Sequence, residues 1–80
     1  MKVRAAIVIV KDGQVALIKR VRDGSTYYVF PGGGVETGET PEHAAVREAR
    51  EELGVEVRLD DLIFATSLGG REHNYYSATI

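Results

Sequence analysis

Glu48, Glu51 and Glu52 are the residues of this 80-residue chain best placed to do chemistry. They lie in the run Arg47-Glu48-Ala49-Arg50-Glu51-Glu52-Leu53-Gly54-Val55. On a helix, positions i, i+3 and i+4 share one face, so the spacing gathers three carboxylates on one patch. Like charges so placed repel, and two of them fall in the predicted last turn, where the helix dipole favours cations. Each effect costs a few tenths of a kcal/mol, roughly up to 1, at exposed positions. A solvated acidic face accommodates the same residues, but a hard divalent cation, which takes oxygen ligands, gives a reason to hold them together.

The segment before the helix adds a second element. Pro31-Gly32-Gly33-Gly34 is followed by Glu36, Gly38 and Glu39. So many glycines permit unusual backbone angles and close approach of main chain to a ligand. From Gly33 the chain reads Gly, five residues, Glu39, seven residues, Arg47-Glu48, Ala49, Arg50, Glu51-Glu52, Leu53, Gly54, Val55. This resembles the Nudix hydrolase signature, Gly-x5-Glu-x7-Arg-Glu-U-x-Glu-Glu-x-Gly-U, with U a bulky aliphatic residue. The match runs over residues 33–55. Ala49 is small where the pattern prefers Ile, Leu or Val, which bears on packing behind the helix rather than on chemistry.

The resemblance implies a Nudix-type α/β/α sandwich around a mixed β-sheet, of class α/β (α+β). It also implies Mg²⁺-dependent (or Mn²⁺-dependent) hydrolysis of a pyrophosphate bond in a nucleoside diphosphate linked to another moiety. By resemblance, Glu51, Glu52 and Glu48 are metal ligands, joined by a backbone carbonyl near Gly32 or Gly33. Glu48 is alternatively the general base. Glu52, Arg47 and Glu39 complete the catalytic set, with Arg47 orienting Glu51 or Glu39 and Glu39 supporting the loop. Glu36 is weighed equally as a site residue and a plain loop residue. The family fold continues beyond the signature with more strands and a second helix, so residues 1–80 are expected to form a partial Nudix domain lacking its C-terminal part. A catalytically silent nucleotide-binding module, or an inactive truncated fragment, is the alternative.

Substrate contacts are less well marked. Tyr28 stands three residues before Pro31, where it is set either to stack on a base or to fill the core; Tyr27 shares the choice. Arg20 and Arg22 flank the expected cleft and are candidates for binding phosphate. His43 is expected on the surface and His73 in a loop outside any metal motif. Two other phosphate-binding glycine patterns fail: no Gly-x4-Gly-Lys-Ser/Thr is present, and the dinucleotide fingerprint read from Gly32 meets Thr37 at its third glycine.

The bulk properties agree. The length bounds one small domain. A net charge of −2 carries no general electrostatic footprint for nucleic acid. The absence of cysteine removes disulfides and thiolate chemistry and fits a cytoplasmic location. The apolar run Ala5 to Val10 is too short to span a membrane. The expected partner is a small nucleotide, with a homodimer possible through an unpaired sheet edge.

Local patterns predict the positioning elements. Val3 to Val10 reads as a strand buried on both faces. Asp12-Gly13 signals a tight hairpin, with Val15 to Lys19 returning. Thr26 to Phe30 is a short strand, and Pro31 to Gly38 is irregular. Thr40 caps a helix that begins at Pro41 and ends before Gly54, with Ala45, Val46, Ala49 and Leu53 as its apolar stripe. Val55 to Leu59 alternates as a strand, Asp60-Asp61 breaks it, and Leu62 to Ser67 is a further strand. Leu68 to Asn74 is a loop, and Tyr75 to Ile80 begins the last strand.

Overall fold

The computed structural model describes residues 2–80. Its elements are β1 (Lys2–Lys11), β2 (Gln14–Val15), β3 (Ile18–Arg22), β4 (Ser25–Val29), β5 (Gly32–Gly34), α1 (Pro41–Leu53), β6 (Arg58–Leu68) and β7 (Arg71–Thr79). One mixed sheet runs β2-β1-β7-β6, with β5 also paired to β1, while β3 and β4 form a separate two-stranded ribbon. β1 and β7 are parallel; the other pairings in the main sheet are antiparallel.

The core lies between this sheet and α1. Ala5, Ile7 and Ile9 of β1 and Tyr76 and Ala78 of β7 meet Ala44, Ala45 and Ala49 of α1. The helix face is thus built of alanine, and Ala49, the departure from the bulky position, is fully buried. A small residue there lets the helix backbone approach the sheet closely. Ala44 joins this face, while Val46 and Leu53 of the predicted stripe are only half-buried.

Several predicted elements are corrected. β1 is covered fully on one face only: Ala5, Ile7 and Ile9 are buried, whereas Ala6 and Val8 are half-buried, because a single helix covers a single face. Gly32–Gly34 is a short strand and not irregular, pairing Ala6, Ala5 and Arg4 in turn. It reaches β1 because it lacks side chains: a Cβ on Gly32 would stand 2.7 Å from the Ala6 Cα. Val55 to Val57 is irregular, yet Val55, Val57 and Leu59 still pack on the core, so their alternation is real but lacks a ladder partner until Arg58. Asp60-Asp61 does not end the strand. β6 continues through with a register shift between Leu59 and Leu62. The Ser77 hydroxyl accepts from the Asp61 N–H at 3.0 Å, and Thr79 donates to Asp60 at 2.7 Å, accommodating the bulge. The predicted loop from Leu68 shrinks to Gly69-Gly70, both at positive φ, so Arg71 to Asn74 belong to β7.

Candidate active site

The alternation of bonds in the β1/β5 ladder decides what the catalytic segment can present. The Ile7 N–H donates to the Pro31 carbonyl at 2.8 Å and the Val35 N–H to the Val3 carbonyl at 2.9 Å. Antiparallel bonding then turns the odd-numbered members of β5 inward and leaves the N–H and C=O of Gly32 and Gly34 pointing out from the free edge. Two side chains of α1 hook over that edge. Glu52 accepts from the Gly32 N–H at 2.7 Å, and Arg47 Nη2 donates to the Gly34 carbonyl at 3.0 Å. Gly33, between them, faces α1, where a Cβ would collide with the Glu48 carboxylate. Any side chain at this position would displace the Glu48 carboxylate.

The helix that carries these groups is fixed at both ends. Thr40 Oγ1 accepts from the His43 N–H at 3.1 Å, and Gly54, at φ 69°, donates to the Arg50 carbonyl at 3.0 Å. Arg50 also pairs with Glu56 at 2.5 Å beyond the C-terminus.

Arg47 is the hub. Its Nε donates to Glu39 Oε2 at 2.7 Å and its Nη2 to Glu39 Oε1 at 2.9 Å, a bidentate fork. Its Nη1 reaches both Glu51 oxygens at 3.3 Å and stands 3.6 Å from Glu48 and from Glu36. Arg47 thus contacts both of the carboxylates it was expected to orient, Glu51 and Glu39. Glu39 also accepts from the Glu36 N–H at 3.0 Å, which locks the loop against the helix.

These contacts shape the electrostatics. The Arg47 fork, followed by the Glu36 N–H, holds the Glu39 pKa down at about 2. Glu48 moves the opposite way. Burial raises its pKa, Arg47 counteracts this, and the neighbouring Glu52 and Glu51 charges push it up further.

Glu39 yields a pH prediction. Its pKa is depressed in the fold from an ordinary 4.5, so the clamp stabilises the protein above that value and is lost as pH falls toward about 2. Urea denaturation should therefore find Glu39→Gln clearly less stable than the parent at pH 7. The gap should close between pH 4.5 and 2. A gap unchanged by acid would show that the Arg47 contact does not set this pKa.

The residue chemistry fits a hard cation: three carboxylates at positions i, i+3 and i+4 of one helix, one of them partly buried beside two like charges that a cation would neutralise. Among the described residues, no three His, Cys, Asp or Glu side chains converge on a common point as they stand. The reason lies in their present partners, since Glu51 leans on Arg47 and Glu52 on the Gly32 N–H.

Of the expected substrate residues, Arg20 comes to 3.5 Å from Glu52 Oε2. Tyr28 is exposed and lines a cavity of about 340 Å³ with Arg4, Phe30, His73 and Tyr75. Arg22 makes no side-chain hydrogen bond or ion pair among the described residues, and nothing brings it to the carboxylates. His43 is exposed, as expected. The sequence reading passed over Arg4 and the aromatic trio Phe30, Tyr75 and Phe64, whose ring centres lie 6.0 and 5.9 Å apart around Tyr75. The signal for Arg4 was present: a charge alternating with apolar residues in a strand taken as buried on both faces.

Comparison with known proteins agrees with this architecture. The chain is 49% identical over 57 residues to the RNA pyrophosphohydrolase of Aeromonas hydrophila, covering 71% of this chain and 31% of that protein. It is 39% identical over 66 residues to the ADP-ribose pyrophosphatase of Methanocaldococcus jannaschii, covering 81% and 39%. The crystal structure of a NUDIX hydrolase from Nitrosomonas europaea superposes with a TM-score of 0.86 at 26% identity, over 98% of this chain and 46% of that one. The chain thus spans less than half the length of these relatives. The NUDIX domain profile matches residues 1–78, and on that match, over nearly its whole length, the chain belongs to the Nudix family.

Proposed function

We propose that this chain carries the catalytic loop and helix of a Mg²⁺-dependent (or Mn²⁺-dependent) hydrolase of the cytosol. The reaction cleaves a pyrophosphate bond in a nucleoside diphosphate linked to another moiety. The observation that carries the reading is the arrangement at the edge of β5: Glu48 jammed against Gly33, Glu52 on the Gly32 N–H, and Glu51 one turn away on Arg47. A silent binding module has no need to hold two carboxylates against a glycine edge with a third one turn away.

Glu48, Glu51 and Glu52 would hold the metal, with the main-chain carbonyl of Gly32 at the free edge as a further donor; the Gly33 carbonyl, also expected as a donor, turns inward to β1. A bound divalent ion neutralises phosphate charge and lowers the pKa of water. Alternatively to ligation, Glu48 takes the proton of the attacking water as general base. The water oxygen bonds to phosphorus, the bridging P–O bond breaks, and the departing phosphate takes the electron pair. The products are a nucleoside monophosphate and the other moiety carrying the second phosphate. Arg47 keeps Glu39, Glu51 and the Gly34 carbonyl in place, and Arg20, beside Glu52, is set to meet a substrate phosphate. The relatives' names divide between an RNA pyrophosphohydrolase and an ADP-ribose pyrophosphatase. A panel of nucleoside diphosphate derivatives, assayed with and without Mg²⁺, tests the reading and selects among substrates. Turnover independent of metal would refute it.

We also propose self-association along β6. This strand is a sheet edge, and Leu62, Ile63, Phe64 and Leu68 on it are more than half exposed. Light scattering should show a mass rising above the 8.7 kDa monomer with concentration, and Phe64→Lys should reduce it. A monomer at every concentration contradicts this.

A further inference from the structure

We propose that the corner of the sheet formed by Lys2, Arg4, Arg71 and His73 binds a phosphate that the substrate carries in addition to its pyrophosphate. The inference rests on the hydrolase reading and extends it to the substrate's second anionic group.

Strand register builds this corner. Lys2 pairs with Arg71 and Arg4 with His73 across the parallel β1/β7 ladder. All four belong to the face opposite α1, because their neighbours Ala5 and Asn74 are the buried ones. Like charges side by side on one sheet face are destabilising, and Lys2 beside Arg71 is such a pair. No carboxylate relieves it. Arg20, Arg47, Arg50 and Arg58 each meet an acid within 4 Å. Among the described residues, Lys2, Arg4, Arg71 and His73 meet none. Acidic side chains outnumber basic ones, 12 to 10, so this is not for want of acids. Other free cations, such as Lys11 and Arg22, stand apart on the hairpins; these are grouped.

The corner also has room and a position. A cavity of about 490 Å³ is lined by Lys2, Arg4 and Arg71 together with Gly34 and Glu36. Arg4 and His73 also line the neighbouring 340 Å³ cavity with Tyr28 and Phe30. Glu36 is the one acid at the rim, and it leans on Arg47 at 3.6 Å. Arg4 is the ladder partner of Gly34, whose carbonyl holds Arg47 on the outer edge. A ligand with its pyrophosphate at that edge therefore needs only to bend around β5 to bring another phosphate to Arg4. Arginine and lysine N–H groups suit phosphate oxygens through charge-assisted bonds.

The extra phosphate has two chemical sources, a monoester on a small nucleotide or the next phosphodiester of an oligonucleotide. The test is a metal-free NMR titration of the ¹⁵N-labelled chain. The probes are adenosine 5′-diphosphate, adenosine 3′-phosphate 5′-diphosphate, and a diadenosine dinucleotide bearing a 5′-diphosphate. The expected result is affinity about tenfold higher for at least one of the extra-phosphate probes, with shifts at Arg4, Arg71 and His73. Whichever probe gains identifies the source. The gain should vanish in Arg4→Gln/Arg71→Gln, shrink in the exposed single variant Arg71→Gln, and persist in Glu52→Gln. No gain for either probe in the parent chain, or a gain that survives both arginine substitutions, overturns the proposal. Failure of the hydrolase reading would show separately, as absence of Mg²⁺-dependent turnover with this phosphate preference intact.

Discussion

Glu52→Gln should lower metal-dependent pyrophosphate cleavage by about 10³-fold while leaving the fold in place. The estimate follows from the several kcal/mol of charge stabilisation a catalytic metal supplies, at about 1.4 kcal/mol per tenfold in rate. Glutamine preserves shape and keeps a carbonyl oxygen that can accept from the Gly32 N–H, now held at 2.7 Å by Glu52. It removes the charge that a cation requires and the partner of Arg20. The loss should therefore fall on kcat and on the Mg²⁺ concentration needed for half-maximal rate, with thermal stability shifted little. If Glu52→Gln retains activity within tenfold, Glu52 is not a ligand, and the Gly32 contact is structural.

Arg47→Met should be the most destabilising single change in the site, costing about 3 kcal/mol. It breaks the fork to Glu39 and the bond to Gly34, and leaves Glu36, Glu48 and Glu51 without their shared cation. A domain of this size loses roughly 4–8 °C in Tm per kcal/mol, so the midpoint should fall by more than 10 °C. Lysine should restore little, because an ammonium cannot reproduce the fork. Removing the orphaned acid as well, in Arg47→Met/Glu39→Gln, should recover part of the loss. Full stability in Arg47→Met would mean that the loop and helix are held by the alanine interface alone. Calorimetry on the three variants decides this.

These two residues also show what the sequence made legible. The spacing of Arg47, Glu48, Glu51 and Glu52 on a capped helix was readable because helix periodicity and end signals are local. Thr40, Pro41 and Gly54 set both ends where the residues predicted. What was not readable depended on the partner strand. Gly32–Gly34 reads as a loop until β1 is placed beside it, because its strand character comes from a neighbour and not from its own propensity. The same holds for Val55 to Val57, which alternate like a strand but find no ladder. Arg4 and His73 became neighbours only through the parallel register of β1 and β7, a pairing between distant segments that no local pattern encodes. The length of β7 was missed because its early residues, Arg71 to His73, are polar.

The most direct test of the central claim, that the α1 carboxylates bind a divalent cation over the edge of β5, is a Mn²⁺ titration followed by paramagnetic broadening of amide signals. Broadening should begin at Gly32 to Gly34 and at Glu48 to Glu52, and should be abolished in Glu48→Gln/Glu52→Gln. Broadening that starts elsewhere, or that survives the loss of both carboxylates, would contradict the account.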